Sequence, residues 1–128
     1  MINSLKLGSY IYSLLADIDA KCKVYPLVAD NDAKFPFILY KRVGLYDNTT
    51  KDGYTNEDTL NYEIKVVTDT YQKGIDIAND VRQAIEHGDK TYSDMTISDI
   101  RLNGADEQYM ENAFIQTLNF QFSAQKTN

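Results

Sequence analysis

The sequence predicts an α+β domain: a mainly antiparallel four- or five-stranded sheet with two helices packed on one face. Three observations carry this. Segments 3–18 and 70–87 repeat their apolar residues with a helical period. Segments 57–68 and 112–123 alternate apolar and polar side chains, as half-exposed strands do. The order helix, strands, helix, strands suits helices covering one face of an antiparallel sheet. A length of 128 residues fits one domain, 1–128.

The first helix places Leu7, Ile11, Leu14, Leu15 and Ile18 on one face. Asn3 or Ser4 is its expected N-cap, with Ile2 stapled onto the first turn. Asp17, Asp19 and Lys21-Cys22-Lys23 end it in polar residues. Val24 to Val28 reads as a short edge strand interrupted by Pro26, followed by a turn-rich connection over 29–34. Pro36 has no N–H and suits the start of a strand, so Phe37-Ile38-Leu39-Tyr40 opens a central strand over 36–45.

Segment 46–57 is the most polar of the chain and cannot bury enough apolar surface to fold alone. It reads as a long, mobile hairpin loop, with Asp52-Gly53 as a turn pair. In the next strand Leu60, Tyr62, Ile64 and Val66 face the core. Thr68-Asp69-Thr70 caps the second helix, whose stripe is Tyr71, Ile75, Ala78, Val81 and Ile85 and whose C-cap is Gly88. Strands over 94–103 and 112–123 complete the sheet, and the tail from Gln125 frays. The expected single core contains Leu15, Ile38, Tyr40, Ile64, Val66, Val81, Ile85, Leu118 and Phe120.

Composition and motifs exclude several classes. Nineteen acids against 13 bases give a net charge of −6, which argues against a broad grip on nucleic-acid phosphates. No apolar run approaches the roughly 18 residues of a membrane span, and no secretory signal is legible. The single cysteine, Cys22, permits no internal disulfide and suggests a reducing compartment. Catalytic machinery is not legible. His87 is the one histidine, and Cys22 and His87 fit no metal spacing. The acid pairs Asp30/Asp32 and Glu57/Asp58 lie in charge-rich, solvated contexts. No phosphate loop, nucleophile elbow or zinc-protease motif occurs. The expectation is a protein without catalytic activity, cofactor or metal.

Taken in order, Leu14-Leu15, Val24-Tyr25-Pro26, Phe35-Pro36-Phe37-Ile38-Leu39-Tyr40, Tyr62-Glu63-Ile64-Lys65-Val66-Val67, the helix Ile77 to Ile85, the acidic loop Asp106-Glu107-Gln108-Tyr109 and the strand Phe114 to Phe120 form a pattern. It resembles the tail-completion or tail-terminator proteins of long-tailed bacteriophages over nearly the whole chain. The resemblance implies a structural ring, typically hexameric, that caps the tail tube, stops its growth and forms the head-joining surface. The partners so implied are other copies of the chain, the tail-tube protein and the head-completion or connector protein. DNA would pass through the ring without specific binding, and no membrane is involved. The implied location is the host cytoplasm during assembly, then the virion tail. Tyr46, Asp52, Tyr54 and Glu57 are the candidate interface residues, because tyrosine gives large contact area at low entropy cost. The alternatives are another phage neck or connector subunit, and a small bacterial module that binds a peptide or ligand.

Overall fold

A computed structural model describes residues 3–18, 22–50 and 53–126, the side chains of 48–50 and 53–56 excepted. A 3-10 turn, Ser4–Lys6, leads into α1, Leu7–Leu15. Then come β1 (Lys23–Pro26), β2 (Phe37–Thr50), β3 (Gly53–Thr68), α2 (Tyr71–Glu86), β4 (Thr91–Tyr92), β5 (Met95–Met110) and β6 (Ala113–Lys126). The strands form a six-stranded sheet in the order β1-β2-β3-β6-β5-β4. The α+β class and the antiparallel bias hold, but the strand count exceeds the expected four or five. The additional pieces are short edges: β4 has two residues, and β1 pairs parallel to β2 from Lys23↔Phe37 to Pro26↔Tyr40.

The core is one cluster between the sheet and the two helices. Leu7, Ile11 and Leu15 from α1 meet Ile77, Val81 and Ile85 from α2 over Ile38, Ile64, Val66, Leu118, Phe120 and Phe122. Every expected core residue is in it or packed against it, Tyr40 being the partly buried one. Alternation fixed these faces correctly, since a slip of one residue would have turned Ile64 and Phe120 outward. Cys22 is a buried thiol within this cluster.

The helix ends differ from expectation in instructive ways. Thr70 does cap α2: its side chain accepts from the Lys73 N–H at 3.4 Å. Neither Asn3 nor Ser4 caps the first helix with its side chain. Both are used for longer-range bonds instead: the Ser4 hydroxyl donates to the buried Asp58 carboxylate, and Asn3 Nδ2 donates to Asp94 at 3.4 Å. At the other end of α2 the C-cap is His87, not Gly88. Gly88 serves a steric purpose, because a Cβ there would meet Leu14 Cδ2 at 2.6 Å and the Ala84 carbonyl oxygen at 3.0 Å. The expectations that fell on Ile2, Asp19, Lys21, Asp52 and residues 127–128 lie outside the described residues.

The largest correction concerns segment 46–57, whose described residues, 46–50 and 53–57, are strand and not loop. β2 and β3 continue as a paired antiparallel arm, with Tyr46↔Thr59, Asp47↔Asp58, Thr49↔Tyr54 and Thr50↔Gly53 in register. The arm extends past the rest of the sheet, since β3 pairs with β6 only from Glu57↔Gln125 onward. A second loop reading fails in the same way. The acidic stretch Asp106-Glu107-Gln108-Tyr109 belongs to β5 and pairs with β6 from Asp106↔Thr117 to Tyr109↔Phe114. The turn falls at Glu111 and Asn112, both with positive φ (53° and 64°), as tight hairpin turns require.

Candidate functional site

The sheet leaves two strand edges open on opposite sides. β1 covers β2 only as far as Tyr40, with Leu27 N–H adding one bond to the Tyr40 carbonyl. Beyond that, among the described residues, no strand pairs on the outer side of β2 over 41–50. On the far side β4 covers only Met95 and Thr96, and Ile97 N–H bonds the Lys90 carbonyl. The outer side of β5 over 98–110 is likewise unpaired among the described residues. Such edges present rows of unpaired N–H and C=O groups, which is how a second chain is recruited by strand addition. Bulges interrupt both, between Arg42 and Gly44 and between Asp47 and Thr49 on β2, and between Ser98 and Arg101 and between Leu102 and Gly104 on β5. They restrict indiscriminate pairing.

Each edge carries apolar residues that the monomer leaves in water. Beside β2 lie Leu27, Val28 and Phe35, with Val28 75% exposed. Phe35 precedes a cis bond to Pro36 and stacks on Phe37 at 5.9 Å between centroids. Beside β5, Tyr71 at the start of α2 meets Phe114 at 5.9 Å, and Phe114 meets Tyr109 at 4.8 Å. Together with Glu107, Gln108 and Gln116 these rings line a cleft of about 250 Å³. Glu107 is fixed in it: the Tyr71 hydroxyl donates to its two oxygens at 2.9 and 3.0 Å, and Gln116 Nε2 donates at 2.9 Å. Those bonds, Gln116 first and then Tyr71, hold the Glu107 carboxyl below its ordinary range and so keep it charged. The same contact raises the Tyr71 hydroxyl.

Of the residues expected at an interface, Tyr46 and Glu57 share one face of the β2–β3 arm, the face without helices. Tyr46 is 59% exposed, and its ring lies over Gly44, where a Cβ would approach it to 3.2 Å. Glu57 accepts from Gln125 Nε2 at 2.7 Å. Tyr54 is on β3 opposite Thr49, and Asp52 lies outside the described residues. The aromatic cleft at Glu107 was not among the expected sites. Its sequence signal was present, because Glu107, Tyr109, Phe114 and Gln116 are cross-strand partners once the turn is set at 111–112.

The geometry also separates the acid pairs. Glu57 and Asp58 are neighbours on one strand, so they point to opposite faces, and Asp58 is buried under Ser4. Asp30 and Asp32 are exposed and line a larger, mixed-charge cleft of about 610 Å³ with Lys23, Lys34 and Phe35. Among the described residues no group of three or more His, Cys, Asp or Glu side chains is placed to hold a metal ion, and no helix is long and apolar enough to cross a membrane.

No family model matches the chain, and no curated protein matches it. A solved chain does share its fold: a component of a structure described as the virion of a native gene transfer agent particle. It aligns with a TM-score of 0.68 over 94% of this chain and 88% of its own, at 17% identity. The class so defined is a helix-covered α+β fold that also occurs in a virion.

Proposed function

We propose that this chain is a non-enzymatic structural subunit of a phage-type virion, working as a tail terminator that closes into a ring on the end of the tail tube. The observation that carries the reading is the pair of open edges on opposite sides of one sheet. Two different surfaces on one subunit associate heterologously, and a heterologous contact closes into a ring when its rotation is right. Strand addition from β5 of one copy to β2 of the next supplies that contact. The likeness of the fold to a chain of a gene transfer agent virion supports the same setting. The end of the β2–β3 arm extends past the sheet, with the exposed Tyr46 at its base, and is free to dock on the tail-tube protein, leaving the other rim for the head-side connector. The net charge of −6 suits a pore through which DNA slides without sticking.

The test has two parts. Native mass measurement should give a closed oligomer near six times the 14.6 kDa chain. Loss of the chain from its producing phage should give tails of uncontrolled length, restored by the wild-type chain. Tails of normal length that fail to join heads would move the chain to the connector instead.

A further inference from the structure

We infer that the cleft of Tyr71, Glu107, Tyr109 and Phe114 is the receptor for the Arg42 side chain of a neighbouring copy of this chain. The inference rests on the ring reading above and adds to it the register and the residue pair.

Both partners stand on the same side of the sheet. Arg42 pairs with Tyr62, a core residue, so it faces the helix side, and its guanidinium donates to the Tyr62 hydroxyl. Glu107 and Tyr109 pair with Gln116 and Phe114, which precede Leu118 and Phe120 on that same side. Arg42 lies at the start of the open stretch 41–50, and the cleft lies near the end of the open stretch 98–110.

The register then follows from geometry. In a sheet continuing from one copy to the next, β2 of the neighbour runs antiparallel to β5, because β2 and β6 point the same way and β5 opposes them. Direct partners across an antiparallel pair share a face. Keeping the helix sides together, the whole of 41–50 within 98–110, and Tyr109 and Met110 clear of β1 on the outer side of Leu39 and Tyr40 leaves one register. It sets Arg42 opposite Tyr109, with Glu107 the diagonal neighbour within reach of a long side chain. Both residues line the cleft.

The chemistry matches. A carboxylate fixed by two donors, among three aromatic rings, suits a guanidinium, which bonds the carboxylate bidentately and stacks on the ring faces. Charge along the edges agrees: Lys41 and Arg42 open one, while Asp106, Glu107 and Glu111 surround the other.

Disulfide trapping tests this. Within one copy β2 and β5 are three strand spacings apart, about 14 Å, so residues 42 and 109 cannot bridge internally. The double variant R42C/Y109C, oxidised at high protein concentration, should give a ladder of covalent multiples, whereas each single variant stops at a dimer. In a parallel arm R42E and E107R should each weaken assembly on the order of a hundredfold, and the two mixed together should restore it. Thermal melts confirm that each variant is folded. If the wild type forms its ring but the double variant gives no ladder and the charge swap no rescue, the Arg42 contact is overturned and the ring stands. Arg42 bridging instead to a tail-tube subunit also overturns it. A wild type that stays monomeric at every concentration and on tail tubes overturns both.

Discussion

Gly88 and Leu14 are locked together: a Cβ on Gly88 would sit 2.6 and 2.9 Å from the two Leu14 methyl carbons. The glycine is a steric allowance for the first helix to lie against the end of the second. Gly88→Ala should therefore destabilise the fold by about 1–3 kcal/mol through overpacking. Urea melts measure it, and adding Leu14→Ala should recover part of the loss. A cost under about half a kcal/mol would show that Leu14 moves aside freely.

The strand faces make a second prediction. Ile64 and Phe120 are almost wholly buried in the shared core. Truncating either to Ala should cost about 2–5 kcal/mol. A neutral result in denaturant melts would mean that the sheet faces are reversed.

The elements legible in the sequence were those whose two faces differ. Leu60, Tyr62, Ile64 and Val66 alternate with polar residues because one side of β3 meets the helices, and the pattern reports it. The same strand runs back to Gly53 without that asymmetry, and so did not read as a strand. Residues 103–110 of β5 are exposed on both faces, which hid them behind the appearance of an acidic loop. β-branched Thr49, Thr50 and Thr55 were the available hint of strand in the arm. The site was hidden for a related reason. Glu107 and Tyr71 are 36 residues apart and meet only once β5, β6 and α2 are assembled.

Alkaline pH should destabilise the fold through its buried tyrosines. Tyr10 is pushed up to about 12, by burial first and then by the Asp89 charge, and its hydroxyl donates to the Asp89 carbonyl at 2.7 Å. Unfolded tyrosine ionises near pH 10. The unfolded chain thus loses its proton before the native one. This contribution is full below about pH 10 and is lost as pH rises toward about 12. Tyr40 and Tyr62 shift the same way, chiefly through burial. In urea melts at pH 9 and pH 11, Tyr10→Phe should lose less stability than the parent, by on the order of 1 kcal/mol. Equal losses would contradict the assignment.

The arm should be separable from the fold. Beyond Glu57 on β3, residues pair only with β2 and not with β6. Replacing 47–56 with a short Gly-Ser turn should leave the thermal midpoint within a few degrees of the parent and abolish docking on tail tubes, read by co-sedimentation. Normal co-sedimentation would place the tube contact elsewhere.

Amide hydrogen exchange tests the central claim most directly, because a ring built by strand addition must protect both edges at once. The outward-facing amides within 41–50 and 98–110 should exchange quickly in the dilute monomer. Both should slow together in the assembled oligomer, while the paired interior of β3 and β6 stays protected throughout. An oligomer in which both edges still exchange as they do in the monomer would contradict the account.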